Sequence, residues 1–130
     1  MIILAGCGTK EAVRSVSDEE ALRERVTAYW GHKIRQEFDK SYPFEDPFYR
    51  KNMTIGSYVQ SFDTAKARWT SARTEAVRIE GDTAVTDMMI GVRIMGPSAK
   101  PLEHEVPLQE KWIKVEGVWY HVPQKIRPGQ

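Results

Sequence analysis

The chain has a single cysteine, Cys7, among its 130 residues, so it can close no internal disulfide and build no cysteine-rich zinc site. Long apolar runs are missing too. No segment approaches the roughly 18 consecutive apolar residues of a membrane-spanning helix. Charge of one sign is also lacking: 19 Lys+Arg stand against 18 Asp+Glu, a formal net charge of +1. The basic residues are scattered rather than gathered on a stripe, which disfavours nucleic acid as a partner. The three histidines offer no His-x-His or His-x-x-x-His spacing and no acidic cluster accompanies them, so no metal and no cofactor is expected. Internal repeats are absent, and the length suits one domain with one core.

What is present is strand alternation around tight turns. Leu108, Glu110, Trp112 and Lys114 alternate with Gln109, Lys111, Ile113 and Val115; Glu116-Gly117 then turns the chain and Val118 to Val122 runs back. An acidic residue followed by Gly suits a two-residue hairpin turn, which needs positive φ. A second unit of the same design precedes it, Arg73 to Glu80, a turn at Gly81-Asp82, then Thr83 to Met95. Gly96 to Pro101 is the loop between the hairpins.

The N-terminal half reads as helical. Ser17-Asp18-Glu19-Glu20 has the form of a capping box. Leu22, Val26, Tyr29, Trp30, Ile34 and Phe38 follow at helical spacing, with Arg25, Lys33 and Arg35 among the residues of the polar face. Pro43 predicts that this helix fails near Lys40 to Tyr42. The aromatic, proline-punctuated segment Tyr42 to Tyr49 forms a turn, and a short helix from Thr54 covers about Ile55 to Phe62. Helices first and an antiparallel meander afterwards make an α+β fold, N-terminal helices on a curved antiparallel sheet.

Leu4-Ala5-Gly6-Cys7 resembles the lipobox of bacterial lipoproteins, in which the cysteine receives lipid. A full signal needs a basic start and about 7–15 apolar residues, so the expectation is a start further upstream, with residues 1–16 as signal remnant and tether. The domain then spans 17–124 and a tail 125–130. With the lipobox read as real, Cys7 anchors the domain at the cell envelope, and lipid is its sole link to the membrane. With the match accidental, Cys7 is a free thiol and the chain is cytoplasmic.

The element order, together with the closing Trp112-Ile113-Lys114-Val115-Glu116-Gly117-Val118-Trp119-Tyr120 hairpin, resembles the nuclear transport factor 2-like superfamily, the cystatin-like cone. That resemblance implies a curved sheet wrapped around helices with a cavity at the open end. It covers both catalysts (isomerases, cyclases, dehydratases) and binding domains, so function must come from the site. The catalytic candidates are Asp87, Glu110 and His121, as a carboxylate base with an imidazole to stabilise an oxyanion. Against each stands a plainer reading. Asp87 shares a strand face with Val85, Met89 and Arg93 and belongs to the solvated side; Glu110 forms a cross-strand ion pair; His121 is a surface or interface residue. Trp30, Tyr58, Trp69 and Trp112 are the candidate lining for an apolar ligand, although core packing explains most aromatic positions. Lys111 and Lys114 suggest a weak basic stripe, better explained as a solvated face.

Outward apolar residues such as Ile113 and Val115 lead to the expectation of a homodimer through the sheet face. The favoured function is an envelope-associated, non-catalytic domain that binds a small apolar ligand or a protein partner. The alternative is a cone-pocket isomerase, cyclase or dehydratase with an Asp or Glu base.

Overall fold

Both hairpin turns are built as their dipeptides require. Glu116 and Gly117 take φ of 51° and 81°, and Gly81 takes 60°, the left-handed geometry that lets a two-residue turn match the twist of its strands. These turns join β1 (Ala67–Glu80) to β2 (Thr83–Ile94) and β3 (Leu102–Val115) to β4 (Val118–Val122) in one antiparallel sheet of order β1-β2-β3-β4. The structure, a computed structural model, describes the backbone of residues 2–63, 67–94 and 102–124, and the side chains of those from 18 onward. The Gly96–Pro101 loop and the 125–130 tail lie outside the described residues.

Helix α1 (Ile2–Ile34) runs across the sheet, followed by α2 (Phe38–Ser41), a single 3-10 turn at Tyr42–Phe44, α3 (Pro47–Asn52) and α4 (Ile55–Gln60). Two helix boundaries differ from the sequence reading. The backbone is already helical from Ile2, so Ser17 stands inside α1 rather than at its start. The helix then breaks at Arg35-Gln36 instead of near Lys40, with Gln36 at φ 62°. That reversal lets Phe38 start a separate helix and stack on Phe62, with centroids 4.0 Å apart. Thr54 caps α4, accepting from the Ser57 N–H, and Asp46 caps α3, accepting from the Phe48 N–H. Both satisfy first-turn donors that the helix leaves orphaned.

Period-2 alternation divides the sheet cleanly. Ala84, Met88 and Ile90 of β2, Trp112 of β3 and Trp119 of β4 form one core with Leu22, Val26, Tyr29 and Trp30 of α1. The opposite face carries exposed ion pairs, Arg73–Glu105, Arg78–Asp87 and Arg93–Glu103. Ile113 and Val115, read as outward residues for a dimer, are half-buried. Only the last third of β3 pairs with β4, from Lys111↔Val122 to Val115↔Val118. Upstream, Glu103 and Glu105 put charge on the open stretch of β3 and Pro107 removes a donor from it, both of which discourage another strand from pairing there.

Register shifts at Trp69/Ser71 and Thr74/Ala76 bend β1, the effect expected of bulges. Gly91 sits opposite the first. A Cβ there would collide with the Ser71 hydroxyl and lie 2.7 Å from Thr70 Oγ1 and 3.3 Å from the Ser71 backbone nitrogen. Gly91→Val is therefore expected to cost about 1–3 kcal/mol through overpacking, measured as a lowered urea midpoint at unchanged m-value.

Candidate functional site

The β3–β4 register places Trp112 opposite His121, so Glu110, two residues back on the same face, comes beside the imidazole. The third participant arrives from the helical half. Glu45 follows the 3-10 turn and bridges to His121 alongside β4, and the Asp46 N–H donates to the His121 carbonyl at 2.8 Å. His121 is thereby held between two carboxylates, Nδ1 at 2.7 Å from Glu45 Oε1 and Nε2 at 2.6 Å from Glu110 Oε2. A neutral imidazole has one N–H, and two such short contacts to ionised carboxylates need two. The Tyr29 hydroxyl also stands 3.1 Å from Nδ1, and the geometry favours the charged ring, an imidazolium between two carboxylates.

Every remaining carboxylate lone pair of note is used. Tyr29 and Tyr58 each donate a hydroxyl proton to Glu45 Oε2, at 2.6 and 2.8 Å, and Ser41 supports the Tyr58 hydroxyl at 2.8 Å. Trp30 Nε1 donates to Glu110 Oε1 at 2.8 Å. Lys33 donates to the Tyr29 hydroxyl at 3.2 Å, and its ammonium lies 4.3 Å from the ring centroids of both Trp30 and Trp69, close enough for cation–π attraction. With Lys33 and His121 positive and both glutamates negative, the cluster is formally neutral. That balance makes its burial tolerable, since an unpaired charge there would cost several kcal/mol.

The electrostatics follow this arrangement. Burial by itself would lower the His121 pKa, but the hydrogen bonds and charges of Glu110 and Glu45 outweigh it and the net shift is upward. Burial would raise Glu110; His121, Lys33 and Trp30 more than offset it and the carboxyl is held below its usual range. Tyr29 is pushed well upward by burial and by the negative charge of Glu45, and Tyr58 moves the same way, so both hydroxyls stay protonated donors. Lys33 is lowered by burial, an effect that Glu110 and Glu45 reduce.

Two of the three catalytic candidates therefore come together and the third does not. Asp87 lies on the opposite face of the sheet, half-buried, accepting from Gln109 and facing Arg78. Among the described residues Glu110 makes no cross-strand pair with a lysine or arginine; its partners there are a histidine and an indole. His121 is buried, contrary to its reading as a surface residue, with 6% exposure. Glu45 went unread because it belongs to a segment taken for a turn, and Lys33 was placed on the polar face although it is 8% exposed. Trp30, Tyr58 and Trp112 are buried in the packing around the bridge, while Trp69 is half-buried beside Phe38 and Phe62. Trp112 Nε1 is buried without a hydrogen-bond partner among the described residues. The Lys111/Lys114 stripe does not exist: Lys111 is exposed, whereas Lys114 projects from the core face to pair with Asp18 at 3.0 Å. The Cys7 side chain lies outside the described residues.

Two clefts lie away from this cluster. One cleft of about 530 Å³ is lined by Asp46, Phe48, Tyr49, Met53, Val122 and Pro123 among others, and another of about 390 Å³ by Ala21, Arg25, Phe44, Val118 and Trp119 among others. Neither has Glu45, Glu110 or His121 in its wall. No group of three or more potential metal ligands occurs among the described residues.

No family model matches the chain, and neither does any curated protein. Solved structures do. A SEC-C motif-containing protein from Rhodopseudomonas palustris superposes with a TM-score of 0.52 at 14% identity, covering 72% of this chain and 69% of that one. The hub homology domain of the Chlamydomonas reinhardtii CaMKII superposes with a TM-score of 0.54 at 17% identity, covering 80% of this chain and 92% of that one. The fold is nuclear transport factor 2-like. In this fold the interior between helix and sheet, where an open cone was expected to hold a ligand, contains the bridged Glu45–His121–Glu110 cluster.

Proposed function

We propose that this nuclear transport factor 2-like domain acts by binding rather than by catalysis, and that its buried polar cluster holds the fold together. One observation carries the reading. The groups that would serve as base and oxyanion stabiliser are spent on one another, each under 9% exposed and each hydrogen-bonded to protein. A general base must reach a substrate proton directly or through one water; here the carboxylates already accept from histidine, tyrosine and tryptophan. The binding surfaces are then the clefts outside the cluster and the sheet. A homodimer through the outer sheet face belongs to the same proposal and would show as a doubled mass in sedimentation velocity. So does envelope attachment through Cys7. A fatty-acid analogue fed to cells carrying the gene with its upstream region should label the protein and leave Cys7→Ser unlabelled.

The convergence of Glu110 and His121 favours the alternative, a cone-pocket enzyme, provided solvent reaches them. Diethyl pyrocarbonate separates the two readings. Peptide mapping of the native protein at neutral pH should find His104, exposed on β3, modified and His121 protected until denaturant is added. Modification of His121 at the rate of His104 would show an open cone and turn the reading to catalysis.

A further inference from the structure

Two arginines meet on one tyrosine outside the buried cluster. Arg25 of α1 stacks 4.1 Å from the Phe44 ring centroid and 5.3 Å from that of Tyr120; Arg50 of α3 lies 5.6 Å from the same Tyr120 ring. Both guanidiniums are fixed by their Nε atoms. Arg25 donates to the Trp119 carbonyl at 2.8 Å and Arg50 to the Glu45 carbonyl at 2.9 Å. Their terminal Nη groups have no acceptor among the described residues. Neither arginine has a carboxylate in salt-bridge range among those residues either, whereas Arg23, Arg35, Arg73, Arg78 and Arg93 each do. The nearby acids are committed or set apart. The Glu45 carboxylate turns inward to His121 and Asp46 caps α3, while Glu24 lines the adjoining cleft together with Arg25 but makes no ion pair with it.

Two like charges held half-buried against one ring, without a counter-ion among the described residues, are an unfavourable arrangement for a chain to keep. Burial pushes the Arg25 pKa down, and Arg50 adds to that against the opposing effect of Tyr120. A guanidinium whose Nε is tied down keeps its remaining N–H groups in a planar fork suited to an oxyanion. Arg25 also forms part of the wall of the 390 Å³ cleft, whose other walls include Ala21, Ala28, Phe44, Val118 and Trp119. That volume is within the range of small-molecule sites, and such sites pair an apolar lining with a few polar groups that fix orientation.

We propose that Arg25, Arg50 and Tyr120 bind the oxyanion head of a small amphiphile whose apolar body lies in the cleft between α1 and the β3–β4 turn. The site is separate from the buried cluster, so it stands whether or not the cone is closed. The probes are decanoate, decyl phosphate and, as an uncharged control, decanol, each titrated into the full chain below its micellar concentration by calorimetry. At least one of the two anions should bind saturably, one per chain, and at least tenfold more tightly than decanol; the tighter of the two identifies the head group. Arg50→Gln should weaken that binding at least tenfold in protein whose circular dichroism shows it still folded. Arg25 packs on Phe44, so Arg25→Lys accompanies it and should weaken binding while the fold persists. Equal binding of decanol would reduce the cleft to an apolar surface, and either no saturable binding or binding indifferent to both substitutions would overturn the proposal.

Discussion

Glu45→Ala should destabilise the domain by about 3–5 kcal/mol, the range seen when one member of a buried ion pair is removed. The loss has three parts. His121 would keep one counter-ion for its charge, and the Tyr29 and Tyr58 hydroxyls would each lose their acceptor. A buried donor without a partner costs about 1–3 kcal/mol. Against a total stability of about 5–15 kcal/mol for an ordinary domain, this single change removes a third or more. Glu110→Ala should fall in the same range, because it strands the Trp30 N–H and the other ring nitrogen of His121. Asp87→Asn is the control, a change at a carboxylate on the outer sheet face with Arg78 3.9 Å away, and it should stay within about 0.5 kcal/mol. Urea titration followed by tryptophan fluorescence reads all three. A double-mutant cycle on Glu110 and His121 should add a coupling of about 0.5–3 kcal/mol, because the two groups touch. Additive losses would mean that the bridge is a coincidence of packing.

The second large effect is a stability maximum bounded on both sides by the same bridge. His121 has its folded-state pKa raised. It therefore contributes stability that is fully present below its unfolded value of about 6.5 and is lost as pH rises through the higher folded value. Glu110 has its folded-state pKa lowered. Its contribution is present above the unfolded value of about 4.3 and disappears as pH falls through the lower folded value. Unfolding free energy should thus be greatest between roughly pH 4.5 and 6.5 and fall away on either side. Lys33 works in the opposite sense at alkaline pH, since its pKa is lowered by burial. A His121→Gln variant isolates the imidazole's share: its alkaline limb should be flatter than that of the parent. Parallel alkaline limbs in the two proteins would remove His121 from the account.

How much of this could be read in advance differs by element. The sheet was legible because its information is local. Glu116-Gly117 and Gly81-Asp82 fix two turns, and alternation assigns faces, so Asp87 could be put outside from the company of Arg93 alone. Even the meeting of Glu110 with His121 was implicit, for a two-residue turn at 116–117 forces Trp112 opposite His121 and brings Glu110 within reach. That step was missed because each residue was weighed singly, as a surface ion pair and a surface histidine. Glu45 was not legible. It reaches the site only because the segment after the 3-10 turn lies along β4, a tertiary contact that no periodicity encodes. Lys33 misled for a related reason: a lysine on a helix reads as solvated, and only the indoles of Trp30 and Trp69 on two different elements make a buried place for it. The end of α1 was misplaced because the signal that ends it is a backbone reversal at Gln36, a residue with weak preference for that geometry, rather than the later proline.

The charge state of His121 is the point on which the structural role of the cluster turns, and nitrogen NMR measures it directly. In uniformly ¹⁵N-labelled protein at pH 7.5, a spectrum of the imidazole nitrogens should show one histidine with both nitrogens protonated and slow to exchange with water, absent from His121→Gln. A His121 with one bare nitrogen, titrating near pH 6.5 like a solvated imidazole, would contradict the carboxylate–imidazolium–carboxylate bridge and reopen the interior as a place for chemistry.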